Sequence, residues 1–311
     1  MSFSSEMSST LLALSNNLAD TVEKAGRAVV AVNARNRIPG AGVHWRTGII
    51  VTADHTVKRE EEITITLSDR RTVPVKLVGR DSSTDIAILK LQDVQTQELT
   101  LPIAEIGDTQ SLKVGHIVLA IARPGESGLS ASLGVVSAIG GAWRSWCGGQ
   151  IDSFVRLDLS LYPGFSGGPL VDATGRVVGI NTSGPRNMVL AIPTTTINRT
   201  IDTLLEKGRI ARGYLGLGMQ PVLLPSAFKN TLNLTSNGGL IVINVEPNGP
   251  AEQAGVLIGD ILVSLNGKPV SDTGDVQAML GPESAGKTLN TVIIRGGALV
   301  EVAIAIGEKP L

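Results

Sequence analysis

The feature that most narrows what this chain can fold into is a succession of short apolar runs between Ala28 and Asn181, rich in Val, Ile and Thr and bounded by Gly, Pro, Asp or Asn. The runs are Gly48–Val51, Ile63–Leu67, Val73–Val78, Ile86–Leu91, Ile117–Ile121, Leu133–Ile139, Phe154–Leu157 and Val177–Ile180. Such runs read as strands, and the turn chemistry between them leaves no room for the crossover helices of a parallel sheet. Antiparallel β-barrels are therefore expected over this stretch.

Helical spacing is found on either side of that stretch. Leu11, Leu14, Leu18 and Val22 fall at intervals of three and four within residues 10–24, one face of a helix that packs on its own domain or on another subunit. A second helix is expected to start at Thr194–Thr196, to carry the stripe Ile197, Ile201, Leu204 and Leu205, and to stop at Gly208. Glu206 to Arg212 reads as a polar linker. Residues 213–311 contain no His, Cys or Trp and suit binding better than chemistry. The expected division is an N-terminal helical segment over 1–25, a β domain over 26–207 and a second β-rich module over 213–311. In the last of these, Asn266-Gly267 marks a turn and Asp272 to Leu280 a short amphipathic helix.

Composition removes several classes of function. The 27 basic and 28 acidic residues nearly cancel, so no net field draws in nucleic acid. Cys147 is the only cysteine and is read as a packing or surface residue; it permits neither an intramolecular disulfide nor a cysteine-rich zinc site, and no metal is expected. No apolar stretch is long enough to span a bilayer. Met1–Asn16 lacks the order of a secretory leader. A soluble, cytoplasmic protein is expected from the chain as written, and an extracytoplasmic one if a leader precedes it.

The sharpest chemical signal is Tyr162-Pro163-Gly164-Phe165-Ser166-Gly167-Gly168-Pro169-Leu170. A serine hydroxyl needs a base to become a nucleophile, and the oxyanion it creates needs backbone N–H donors. Glycines around the serine allow positive φ angles and close approach of substrate to the main chain. Gly164-x-Ser166-x-Gly168 also fits the nucleophile elbow of α/β-hydrolases, but there the histidine follows the serine. Here His44, His55 and His116 all precede Ser166. The order acid, histidine, serine would need Asp54, which adjoins His55 and points elsewhere on an extended segment. What remains is histidine, acid, serine.

His55 is favoured as the base because it ends the apolar strand running from Gly48 through Thr52-Ala53-Asp54, whereas His44 and His116 read as structural or exposed rings. Asp85 opens the apolar run Ile86–Leu91 and is the acid best placed for burial. Asp69, Asp81, Asp93, Asp108, Asp152 and Asp158 lie in polar or turn-like surroundings and read as solvated carboxylates, with Asp158 the least secure of these because of its closeness to Ser166.

Thr52-Ala53-Asp54-His55, Thr84–Lys90, Pro163–Leu170 and Gly175–Asn181 resemble the HtrA/Deg family of serine proteases. Arg212–Leu217 and Gly255–Leu262 resemble that family's PDZ domain, so the likeness runs over nearly the whole chain. It implies a mainly β architecture, a trypsin-like double β-barrel followed by a PDZ domain. The activity it implies is ATP-independent endoproteolysis of unfolded or misfolded protein, in protein quality control, by a homotrimer without a cofactor. By the same likeness, the Gly164 and Ser166 N–H groups would line the oxyanion hole, and Leu161 and Ser183 would shape a pocket for small or medium aliphatic side chains. Tyr214, Leu215, Gly216 and Leu217 would bind the carboxyl end of a peptide added as a strand. Phe165 departs from the pattern, standing where the family carries Asn. Two other functions fit parts of the same reading: a catalytically silent, protease-like peptide-binding scaffold or chaperone in which Phe165 holds the oxyanion loop unproductive, and an esterase, against which the peptide-binding module argues.

Overall fold

The computed structural model describes residues 2–92, 101–124, 128–145, 148–184, 188–210, 213–232, 234, 236–281 and 284–308, with side chains described from residue 9 onward and that of residue 227 left aside. Cys147 and Asp93 lie outside the described residues, as do residues 211–212 of the expected linker. The described chain divides into two compact units, Met1–Arg209 and Ile210–Leu311.

The first unit opens with helix α1 (Ser2–Gly26), longer than the spacing predicts. Its C-terminal end packs on the β domain. Thr21 is buried, and its hydroxyl donates to Asn17 O at 2.7 Å and to Ala173 O at 3.3 Å. Of the predicted apolar face, Leu11 and Leu14 are exposed while Leu18 and Val22 are half-buried, so its first half is not covered by the described residues of its own chain; Leu12 beside it is exposed too.

Two closed six-stranded barrels follow. The first takes β1 (Val29–Asn33), β2 (Gly40–Arg46), β3 (Ile49–Ala53), β4 (Thr64–Thr66), β5 (Thr72–Asp81) and β6 (Ile86–Leu91) in the order β1-β2-β3-β6-β5-β4, and the pairing of β1 with β4 closes it. The second takes β7 (Ile117–Ala122), β8 (Ser130–Gly140), β11 (Phe154–Asp158), β12 (Pro169–Asp172), β13 (Val177–Ser183) and β14 (Val189–Pro193), and the pairing of β8 with β11 closes it. Closure removes the free edges that short strands otherwise expose. Between β8 and β11 lies a small hairpin, β9 (Trp143–Arg144) and β10 (Gln150–Ile151). The double-barrel expectation therefore holds. β1, β2, β12 and β14 are additional to the runs read from sequence.

Each barrel has its own apolar filling, Val30, Ile50, Ile65 and Leu89 in the first and Val118, Val155, Leu170 and Val178 in the second. Polar groups join the two. Arg123, buried at the end of β7 and beyond, donates from Nε to Val29 O at 3.1 Å and from Nη2 to Gly26 O at 3.1 Å. Helix α2 (Thr194–Lys207) closes the unit and ends at Gly208 in the left-handed region (φ 70°), as its Gly stop signal predicts. Leu205 departs from the predicted stripe and is exposed.

In the second unit, β15 (Gly213–Tyr214) pairs with β22 (Gly307–Glu308). The main sheet orders β16 (Leu217–Leu223), β17 (Gly238–Val245), β18 (Ile261–Leu265), β20 (Thr288–Arg295) and β21 (Ala298–Ala305), with β19 (Lys268–Pro269) pairing to β18. β16 is an edge strand with Pro221 inside it. Helix α3 (Thr273–Met279) begins with a reciprocal capping box between Asp272 and Asp275 and packs near β16. Asn266 (φ 47°) and Gly267 (φ 76°) form the predicted turn between β18 and β19.

His44 is buried in the first unit, as its structural reading predicts. Its Nδ1 donates to Pro102 O at 3.0 Å, while Nε2 accepts from Gly48 N at 3.1 Å, which fixes one neutral tautomer. Burial holds its pKa below the ordinary 6.5. The unfolded chain then binds a proton that the folded chain refuses, so this ring's contribution to stability is full above pH 6.5 and is lost as pH falls toward the lowered folded value. Urea midpoints measured between pH about 8 and pH about 5 should fall less steeply in His44→Gln than in the parent. Parallel profiles would show that the ring does not titrate with unfolding.

Candidate active site

His55 sits in a single 3-10 turn, Asp54–Thr56, at the end of β3. Its ring Nδ1 lies 2.9 and 2.8 Å from the two carboxylate oxygens of Asp85, and its backbone N–H donates to Asp85 Oδ1 at 2.9 Å. The Thr182 hydroxyl, from β13 of the second barrel, donates to Asp85 Oδ2 at 2.5 Å. Asp85 itself has φ 60°, unusual for a residue other than glycine, and its carbonyl accepts from Asp54 N at 3.1 Å. The carboxylate thus has donors from both barrels, and Nδ1–H is held toward it, leaving Nε2 free of the carboxylate.

Of two neighbouring carboxylates, Asp54 agrees with its sequence reading and Asp81 does not. Asp54 does point away from His55, but it is buried and paired with Arg80 Nε, while Arg80 Nη2 donates to Val57 O at 3.1 Å. Asp81 was read as solvated, yet it is buried. Its carboxylate accepts from Ser83 N at 3.0 Å, from Thr84 Oγ1 at 2.7 Å and from the Ser83 hydroxyl. A short turn closed by its own side-chain donors can bury an acid that no apolar run announces. Asp69 is tied to Arg71 and Asp152 to Arg199. Asp108 caps a 3-10 turn and Asp158 is exposed. Exposed His116 accepts from Lys113 N at 3.2 Å.

Ser166 is placed by main-chain bonds to both barrels. Its carbonyl accepts from Ala41 N at 3.1 Å, and the next residue, Gly167, donates to Asn181 O at 3.0 Å. A Cβ on Gly167 (φ 86°) would collide with the Ala41 carbonyl, the Thr52 hydroxyl and the Ala53 nitrogen, so this turn presses directly on the strand that leads to His55. Asn181 in turn adjoins Thr182, the partner of Asp85. The Ser166 hydroxyl makes no hydrogen bond to His55 Nε2 among the described residues. Such a contact commonly tightens only when substrate is bound.

Gly164 has φ 94°. Among the described residues, neither the Gly164 N–H nor the Ser166 N–H is used by a protein acceptor. Phe165 turns its ring inward: it is 2% exposed, packs with Ala41, Ala120 and Ala122, and meets Tyr162 edge-on at 5.6 Å. The apolar substitution therefore fills a space between the barrels. A groove of about 460 Å³ is lined by Gly164, Ser166, Leu161 and Ser183 together with Arg35–Ile38. Ser183 also lines a second cavity with His55, Asp85, Thr182 and Trp143.

Thr182 and the hairpin carrying Ser145 were missed by sequence reading. Thr182 directly follows the quoted Gly175–Asn181 motif, whereas the Ser145 hydroxyl bonds the Ser83 carbonyl across 62 positions and has no local signal. In the second unit, Leu215 is buried and Gly216 has φ 73°. The Leu215 carbonyl accepts from Ala251 N at 2.9 Å, the Gly216 carbonyl from Glu246 N at 2.8 Å, and the Tyr214 hydroxyl bonds Glu246. The Leu215 and Gly216 N–H groups have no protein acceptor among the described residues. Among the described residues no cluster of His, Cys, Asp and Glu could hold a metal ion, and no helix is long and apolar enough to cross a membrane.

The two barrels with this cluster at their junction define a trypsin-like peptidase fold. Residues 40–180 match the trypsin-like peptidase domain family, and residues 213–306 match the PDZ domain family, a peptide-binding module. The crystal structure of the serine endoprotease from Yersinia pestis superimposes with a TM-score of 0.71 at 30% identity, covering 94% of this chain and 98% of that one. The HtrA-type protease AlgW with a decapeptide gives a TM-score of 0.71 at 26% identity over 94% of this chain and 99% of its own. A probable periplasmic serine endoprotease, DegP-like, of Pseudomonas putida (strain GB-1) is 35% identical over 269 residues, 85% of this chain. The chain spans about half, 54%, of that relative's length. It belongs to the HtrA family of trypsin-like serine proteases that carry a PDZ domain.

Replacing Arg80 leaves the buried Asp54 carboxylate without its cation beside His55. Arg80→Ala should destabilise the first unit by about 3 kcal/mol, as expected for breaking one side of a buried pair. A thermal or urea midpoint close to the parent's would contradict this.

Proposed function

We propose that this chain is a serine endopeptidase in which His55, Asp85 and Ser166 form the catalytic triad. The observation that carries the reading is the Asp85 carboxylate, held against His55 Nδ1 at 2.8 Å by donors from both barrels. A group so placed selects the tautomer whose Nε2 can accept a proton, and it stabilises the imidazolium that follows.

In the proposed reaction, Ser166 Oγ attacks the peptide carbonyl as His55 Nε2 takes its proton. The free N–H groups of Gly164 and Ser166 receive the developing oxyanion. His55 then returns the proton to the leaving amine, and water, activated in the same way, releases the acyl group. Leu161 and Ser183, in the groove beside Ser166, would take an aliphatic side chain next to the scissile bond. The inward packing of Phe165 gives no support to a silent scaffold.

Unfolded or misfolded polypeptides fit as substrates because the PDZ module captures extended peptide. The free N–H groups of Leu215 and Gly216, with Tyr214 and Leu217 around them, would receive a terminal carboxylate while the peptide pairs with β16. The exposed leucines of α1 support an assembly of copies, a homotrimer by family likeness. The names of the DegP-like relatives favour an extracytoplasmic compartment over the cytoplasmic one expected from the N-terminal residues.

A fluorophosphonate probe should label the parent but not Ser166→Ala, and Asp85→Asn should lower kcat on casein by about 10⁴-fold. Undiminished casein cleavage by Ser166→Ala would end the reading. Removing residues 213–311 should lower protein-substrate capture while leaving probe labelling intact; a folded truncation that no longer labels would break this division of labour.

A further inference from the structure

The groove at Ser166 has one wall that the triad, the oxyanion donors and the aliphatic pocket do not use. That wall is the β1–β2 loop, Arg35 to Ile38. It lies directly against the oxyanion turn: a Cβ on Gly164 would stand 3.1 Å from Pro39 O and 3.5 Å from Ile38 Cγ2. The loop belongs to the same barrel as His55, the group that must hand a proton to the leaving amine. It therefore flanks the half of the substrate that follows the scissile bond, while Leu161 and Ser183, from the second barrel, flank the half that precedes it.

The charge of this wall is one-sided. Arg35 is held in place by its own loop, donating from Nε to Ile38 O at 2.6 Å and from Nη2 to Pro39 O at 3.4 Å. Arg37 is exposed. Neither arginine forms an ion pair among the described residues, and no Asp or Glu lines the groove. A third cation, Arg59, is anchored to the end of β1, just before this loop, by Nη2 to Asn33 O at 2.9 Å. The nearest acid in sequence, Glu60, instead reaches Arg80 at 3.7 Å.

We infer that Arg35 and Arg37 make this enzyme select an acidic side chain on the leaving-group side of the scissile bond. The guanidinium of Arg35, pre-set by two carbonyls, loses little freedom on meeting a carboxylate, and Arg37 adds a second donor from the rim. The inference rests on the proteolytic reading above.

Its test uses the full chain and internally quenched peptides that differ only in carrying Glu, Ala or Lys at the first or second position after the scissile bond. kcat/KM for Glu should exceed that for Ala by about threefold to tenfold at low ionic strength, with Lys below both. The advantage should shrink as salt is raised. Arg37→Glu should invert the order in favour of Lys, and Arg37→Gln should flatten it; a loop merely loosened by substitution would lower all three rates without reordering them. Fluorophosphonate labelling separates the two levels. Normal labelling with equal rates on the three peptides, or a Glu preference that survives Arg37→Glu, overturns this inference alone, whereas absent labelling removes the proteolytic reading and this inference with it.

Discussion

The site depends on a single carboxylate shared by two barrels. Asp85 starts β6 in the first barrel, takes the N–H and ring of His55 from the end of β3, and takes the Thr182 hydroxyl from β13 in the second. Its left-handed backbone is a conformation that a non-glycine residue keeps only where the surroundings over-determine it. Those surroundings are on hand: the Asp54 N–H on its carbonyl, the Asp81 turn before it, and the strand after it. A shift of one barrel against the other would cost this carboxylate a donor, so the registration of the two barrels and the orientation of the imidazole are one constraint.

The glycine turn at Ser166 works under the same constraint from the other side. Gly167 has space for a hydrogen and nothing larger, because the strand that delivers His55 passes against it. Its N–H donates to Asn181 O, whereas those of Gly164 and Ser166 meet no protein acceptor among the described residues. A turn that binds its neighbours at one residue and leaves the flanking donors open is what acyl transfer needs, since donors already committed to protein acceptors would have to reorganise as charge develops.

How much of this was legible in sequence follows from where each signal lies. The barrels were readable because antiparallel strands are local runs with turn residues between them. β1, β2, β12 and β14 were not singled out, being short or glycine-rich; β12 lies within the serine motif itself. Chain order and strand ends single out His55, Asp85 and Ser166, and the structure brings the first two into contact. Thr182, Ser145 and the buried Asp81 were not, because each acts through a contact with a residue distant in sequence or through the closure of a turn, and neither leaves a periodicity. Leu205 and the leucines of α1 show the converse: helical spacing identifies an apolar stripe but not what covers it.

Pro221 lies inside β16, the edge of the PDZ sheet. Proline survives in a strand where its missing N–H would face away from the paired neighbour, here toward the open side. A strand laid along that side meets no donor at Pro221. A ladder formed there is interrupted and extends poorly into a continuous sheet. The interruption thereby acts as a built-in stop against recruitment of this edge into aggregates of extended chains.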